Sequence, residues 1–529
     1  TFSPYRSGGY STYFDGTGDY IDTNSAINLS SGGCIEGWVY ITSATNYAFF
    51  IASTQGNPGY PRWYVGHSNT TDWRCSPGDS TDNNITSYDL ITNQWNHFVL
   101  SNDGSTSRLF ANGVLIFTKS VTPVNENLTF TLSKYGSSAQ YLMTGNLFDV
   151  RVNTSIPTEY QTSSATVGAS IFTPPTEPLS ASGSALHICH LPYLADGSSN
   201  TYTLTPNGNV STKPFSPYDY NEYDAADHGG SVYFDGSNDD LTIADHSAFD
   251  LSTGNWTVEF WWNPKSVNTN EGPMSVGYSN TQQIGLKFAW ENNKLYAFSL
   301  NGSTLQTGLY HDATAASLIN RWNHVAAVYN GTNTDLYLNG VASGRAQSTN
   351  FGENSSDDVR IGSVRRLSSI HYSECSISDV RIVKGTAVYS GNFTPPTGPL
   401  TITGGTYSST TNVNTSITAS NTSLLIKSTD ASIIDKSQGS NLKLFGNTTG
   451  STTQTKFSGS KSMYFDGNGD YLRIGNNKDI LNSLINNDNL MTIETWFYPT
   501  ISRSGGISYL SPSLLGLGDT YFSIGLNSL

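Results

Sequence analysis

One short string governs what this chain can fold into, because it occurs three times at domain-sized intervals. Tyr13-Phe14-Asp15-Gly16 returns 220 residues later as Tyr233-Phe234-Asp235-Gly236, and after a further 231 as Tyr464-Phe465-Asp466-Gly467. Each copy leads into an acid and an apolar strand: Asp19-Tyr20-Ile21, Asp239-Asp240-Leu241 and Asp470-Tyr471-Leu472. That interval is one sizeable sandwich rather than a solenoid unit of roughly 20–50 residues. A chain of 529 residues is too long for one core, so three blocks divide it.

Other signals keep their order within the blocks. Ile35-Glu36-Gly37-Trp38 matches Val258-Glu259-Phe260-Trp261 and Ile493-Glu494-Thr495-Trp496. Trp95-Asn96-His97 matches Trp322-Asn323-His324, and Leu109-Phe110-Ala111-Asn112-Gly113 matches Leu336-Tyr337-Leu338-Asn339-Gly340. Asn-Gly between apolar strands is the strongest short hairpin signal, since both residues accept the positive φ of a type I′ turn. Phe148-Asp149-Val150-Arg151 parallels Ser378-Asp379-Val380-Arg381, and Phe172-Thr173-Pro174-Pro175 parallels Phe393-Thr394-Pro395-Pro396. Paired prolines cannot continue a ladder and read as a strand stop. Gly at 50 residues and aromatics at 12% suit short, well-filled strands with many turns. The expected fold is all-β: tandem antiparallel two-sheet jelly rolls.

The blocks set the expected boundaries. Domain 1 spans 1–183 and lacks an opening strand. Domain 2, at 184–400, is complete and opens on Leu186-His187-Ile188. A Ser/Thr/Asn-rich linker, 401–421, precedes domain 3 at 422–529, which lacks its second half. The chain is thus expected to be an internal stretch of a longer repeat protein, beginning at Phe2-Ser3-Pro4-Tyr5, which matches Phe215-Ser216-Pro217-Tyr218.

This order of motifs resembles the laminin G-like jelly rolls of the concanavalin A-like lectin/glucanase superfamily over nearly the whole chain. The closing run Ser378-Asp379-Val380-Arg381-Ile382-Val383-Lys384-Gly385, followed by Phe393-Thr394-Pro395-Pro396, is similar to repeats in structural proteins of marine bacteriophages, especially cyanophages. Domain 1 departs from it, with Asn153-Thr154-Ser155 in place of Lys384-Gly385-Thr386. The resemblance implies lectin-like domains at a virion surface, contacting host-surface carbohydrate or other fibre subunits, as a homo-oligomer. A secreted or cell-surface bacterial adhesin, or the binding region of a carbohydrate-active enzyme, carries the same domains.

Enzymatic members hydrolyse glucans with a Glu-x-Asp-x-Glu or Glu-x-Asp-x-x-Glu strand, whose carboxylates share a face. No such string occurs, and Glu36, Glu259 and Glu494 stand singly, so no catalytic residue is assigned. Each lies two residues from Trp38, Trp261 or Trp496, on the same strand face. Such a pair either lines a sugar-binding sheet or belongs to the framework, and recurrence favours the framework. Sugar binding would require Glu259 and Trp261 to be exposed. Trp63, Trp73 and Trp290, peculiar to single blocks, are the alternative ligand-binding candidates, expected near loops.

Asp15 with Asp19, Asp235 with Asp239, and Asp466 with Asp470 frame Gly-containing turns. With Asp149 and Asp379 they are candidates for a structural Ca²⁺, as the superfamily implies; hydrogen-bonded Asx turns are the plainer account. No other cofactor is expected.

Cys34, Cys75, Cys189 and Cys375 show no metal-finger spacing. Alternation turns Cys189 away from its neighbours in His187-Ile188-Cys189-His190, so no metal is assigned there. Cys189 and Cys375 are expected to approach disulfide range. A net charge of −15 disfavours nucleic acid, and no apolar run reaches the ~18 residues of a membrane span. Asn-x-Ser/Thr sites at Asn84, Asn127, Asn330 and Asn447 arise by chance in such a composition.

Overall fold

The computed structural model describes residues 3–428 apart from 6–7, 45, 55–59, 219–227, 278–285, 302–303, 307–308, 351–357 and 367–368, and short strands beyond them. It forms two compact units, Thr1–Ser437 and Gln438–Leu529. Helix among the described residues is confined to His228, Ala315–Leu318 and two single 3₁₀ turns. No described helix is long and apolar enough to cross a membrane.

The first unit contains two antiparallel sandwiches. In sandwich 1 one sheet runs Val114–Ser120, Thr106–Ala111, Trp95–Asn102, Gly33–Ile41, Thr144–Asn153, Ser11–Asp15, Ser211–Lys213. The facing sheet runs Leu204–Asn207, Tyr20–Thr23, Phe130–Leu132, Ala48–Ser53, Trp63–His67, Asp72–Pro77, Asn83–Asp89. Alternation decides the faces: Ile35, Val39 and Ile41 join the inter-sheet core with Phe50, Trp63 and Leu100, while Glu36 and Trp38 point outward. Sandwich 2 repeats this, with Trp256–Pro264 between Asn323–Tyr329 and Glu374–Lys384. Val258, Phe260 and Trp262 face its core.

The Asn-Gly hairpins form as expected, with Asn112 at φ 50° and Asn339 at φ 51°. In each, the Asn Oδ1 accepts the backbone N–H of His97 or His324, at 2.8 and 2.9 Å. Beyond the last long strand, the Pro-Pro segment returns over the outer sheet face as a third layer. Tyr160 and Phe172 roof sandwich 1, and Tyr389, Phe393 and Ile417 roof sandwich 2.

Strand pairing differs from the expected boundaries. Leu186–Ile188 joins Thr144–Asn153, so the opening segment of block 2 completes sandwich 1. Thr422–Ser428 likewise joins Glu374–Lys384 of sandwich 2. Nor is 401–421 a free linker: Thr401 and Gly404 accept from Arg381, and Tyr389 bridges Val413. The reason is that openers share one pattern and fit either sheet edge. In the second unit three strand pairs are described: Leu442–Phe445 with Tyr471–Ile474, Thr449–Ser451 with Ser462–Tyr464, and Ser513–Leu517 with Phe522–Gly525.

Candidate functional site

The outward Glu/Trp pairs are built into the molecule rather than offered to solvent. Glu259 is fully buried and receives the Arg381 fork at Oε1, with Nε at 2.9 Å and Nη2 at 2.6 Å. Its Oε2 accepts Tyr389 Oη at 2.6 Å and lies 3.2 Å from His324 Nε2. Burial alone would raise its pKa, but Arg381, His324 and Tyr389 together bring it down to about 2. Glu36 holds Arg151, Asn153 and Tyr160 in the same way, Tyr160 Oη at 2.6 Å. His97, the counterpart of His324, makes no such bond; burial, then Arg151, lowers its pKa to about 3.

The exposure that sugar binding needs is absent at this face. Trp261 is 1% exposed and Trp38 8%. Neither packs between the sheets; each is capped from outside by a tyrosine. Tyr5 meets Trp261 edge-on at 5.9 Å and donates to Asp379 Oδ2 at 2.9 Å. Tyr218 meets Trp38 edge-on at 6.0 Å and accepts from Trp38 Nε1 at 3.2 Å. Sequence patterning finds the shared strand face but not the cover, which comes from segments without strand periodicity. Trp63 and Trp73, expected near loops, are core residues on strands. Trp290 lies on the strand Leu286–Glu291, half-buried against the second core, and donates to Ala313 O at 2.9 Å.

The acidic candidates fall into two separate places. At the turns, Asp15 Oδ1 accepts Thr17 N–H at 2.6 Å and Asp19 Oδ2 accepts Asp15 N–H at 3.0 Å. Asp235 and Asp239 repeat this at 2.8 and 3.3 Å. These are Asx turns. Asp15 pairs with Thr144, five residues along the strand from Asp149, so turn and strand carboxylates do not converge. Asp149 and Asp379 instead sit at bulges with φ 54° and 47°, conformations that cost about 1 kcal/mol or more. Each turns its carboxylate to anchor the roof, accepting Leu179 N–H or Leu400 N–H at 2.7 Å. Asp466, Asp470, Glu494 and Trp496 lie outside the described residues.

The His187–His190 run, to which the sequence assigns no metal, gathers with Asp149 into one cluster. Cys189 has φ 65°, which breaks strand alternation, sends Ile188 and Cys189 inward and leaves His187 and His190 stacked outward at 3.8 Å. Ligand atoms of Asp149, His187 and His190 lie within 4.8 Å of one another. Parallel rings cannot both aim in-plane lone pairs at one ion about 2.0–2.1 Å away, so a metal would require one ring to turn. As they stand, His187 Nε2 bonds Asp149 Oδ1 at 2.6 Å. The four cysteines are free and buried; Cys189 and Cys375 belong to different cores.

Open access occurs elsewhere, in a groove of about 570 Å³ at one end of sandwich 1. Ser31–Gly33, Ser101–Asp103, Arg108, Thr154–Ile156 and Tyr160–Ser163 supply its lining, which is rich in hydroxyl and amide groups. Arg108 Nη1 meets Asp103 Oδ2 at 2.8 Å, and its Nε donates to Ser164 O. Asp103 also accepts Ser105 and Thr106 N–H; burial, which would raise its pKa, is outweighed and the carboxyl stays well below its usual range. Asp335 replaces Arg108 in sandwich 2, reversing the charge.

A family model described as the concanavalin A-like lectin/glucanases superfamily, of laminin G type, matches residues 15–159 and 219–388. Among solved structures, a candidate carbohydrate-binding protein of Bacteroides ovatus aligns at 15% identity and TM-score 0.29 over 39% of this chain, which spans 59% of that protein. Domains LG4-5 of the mouse laminin α1 chain align at 10% identity and TM-score 0.24, covering 72% of this chain and 90% of theirs. A heptameric pentraxin of Limulus polyphemus aligns at 10% and 0.26, covering 38% and 95%. No curated protein gives a significant match.

Proposed function

Because the chain belongs to the concanavalin A-like lectin/glucanase superfamily through its laminin G-type sandwiches, we propose that it is a non-enzymatic, glycan-contacting protein, a tail fibre or other appendage of a marine phage virion. The observation that carries the glycan reading is the open groove around Asp103 and Arg108. It presents hydroxyl, amide and charged groups, which suit a polyhydroxylated ligand, on a lectin-like scaffold. Its charge reversal at Asp335 gives the tandem sandwiches different preferences. Weak sites in tandem then sum by avidity. The single buried glutamates, each locked by an arginine, support a non-catalytic role. The virion assignment rests on the closing motif around Asp379 and Pro395.

A glycan array probed with the full chain tests the ligand class. Retention of at least one host-surface glycan is expected, with about tenfold loss in Arg108→Asp, the size of a charge-assisted hydrogen bond. No retained glycan, or binding indifferent to Arg108→Asp, overturns the site. Antibody against the chain should decorate phage tails in micrographs; labelling of bacterial surfaces alone overturns the virion assignment.

A further inference from the structure

Two homologous sets of strand pairs differ only in where the donor comes from. In block 3, Leu442–Phe445 and Thr449–Ser451 precede the Tyr464 string and pair with Tyr471–Ile474 and Ser462–Tyr464 of that same block. In block 2 the matching Leu204–Asn207 and Ser211–Lys213 precede the Tyr233 string. They nevertheless pair with Tyr20–Thr23 and Ser11–Asp15 of block 1.

The registers coincide. Leu442 faces Ile474 as Leu204 faces Thr23, and Thr449 faces Tyr464 as Ser211 faces Tyr13. Gly446-Asn447 and Gly208-Asn209 join the two strands in each case. The tyrosine caps cross over too: Tyr218, ahead of block 2, caps Trp38, whereas Tyr5, ahead of block 1, caps Trp261. Block 3 carries Phe457-Ser458-Gly459-Ser460 at this point and has no such tyrosine.

We propose that the opening segment, residues 184–218, is an exchangeable strand donor, and that its partner is the matching sheet edge on a second copy of this chain. Physical reasons favour exchange. Main-chain ladders tolerate sequence variation, so an edge that accepts one opener accepts its homologue. A sandwich without a donor exposes Ser11–Asp15 and Tyr20–Thr23 as bare edges, which seek a strand. A donor from another copy makes the same contacts as one in the same chain, and the two differ only by loop closure and concentration. Exchange thus joins chains through complete sandwiches without any new interface.

Asp22 and Thr205 are cross-strand partners, neither is buried, and the native cysteines are all buried. Full chains carrying Asp22→Cys or Thr205→Cys are unfolded together, refolded at high concentration and oxidised. A disulfide-linked heterodimer, severalfold above the homodimers of each variant alone, is expected on a non-reducing gel. The chain with both substitutions, refolded dilute, should cross-link within itself. That internal cross-link without any heterodimer would overturn exchange between copies. Cross-linking of Thr205→Cys to Thr242→Cys, the block 2 counterpart of Asp22, in place of Asp22→Cys would overturn the observed seat on sandwich 1.

Discussion

Arg381 illustrates how much a single side chain carries when the charge it meets has no water. Glu259 is 0% exposed, so Arg381→Met leaves an uncompensated carboxylate in the sheet. Such a loss should cost about 3–5 kcal/mol in denaturant unfolding. A loss under about 1 kcal/mol would mean that the pair is solvated. His97 is also shifted down, and it makes the fold sensitive to acid. Its folded pKa, lowered to about 3, lies below the unfolded value near 6.5, so between these values only the unfolded chain takes up the proton. The His97 contribution is therefore present above pH 6.5 and is lost as pH drops towards 3, by about 2 kcal/mol between pH 7 and pH 5. His97→Phe should flatten that slope in urea titrations at the two pH values; an unchanged slope places the acid sensitivity elsewhere. The sequence places Glu and Trp on one face, because period-two alternation fixes direction. Their burial was not legible, since the tyrosines that cap them lie in Ser-Pro-rich turns.

At the scale of elements, the hairpins were readable and the bulges were not. Asn-Gly demands a positive φ whatever surrounds it, so Asn112 and Asn339 announce their turns. Asp149 and Asp379 also adopt positive φ, but mid-strand, where only the roof that they anchor explains the strain. The hairpin glycines carry a second duty. A Cβ on Gly340 would stand 1.9 Å from Phe393 O, while one on Gly344, also at positive φ, would meet nothing within 4 Å. Gly344→Ala should thus cost only the backbone strain, about 1 kcal/mol. Gly340→Ala must also lift the Phe393–Pro395 strap, and should cost on the order of 3 kcal/mol. Equal melting temperatures for the two variants would show that the strap is not held against the hairpin.

For the whole molecule, three blocks and their order follow from the repeat, but the ownership of each opener cannot. Periodicity says that Ser211–Lys213 is a strand; it is silent on which of several equivalent edges the strand occupies, because they share one pattern. Tertiary contacts decide this. Arg321 donates to Val210 O and Trp322 N–H to Pro192 O, so the opener of block 2 also leans on sandwich 2. Thr212 turns its N–H to Asn320 O at 3.3 Å, which leaves the amides of Ser211 and Lys213 facing Ser11–Asp15. Ser211→Pro removes one ladder donor and should weaken that seam by about 1–3 kcal/mol. The effect should appear far from the substitution in sequence. Hydrogen exchange should quicken in Ser11–Asp15 and in Thr144–Asn153 behind it, while Trp256–Pro264 keeps its protection. Quickened exchange confined to Val232–Asp235 would instead seat the opener on its own block, and the boundary would return to residue 184.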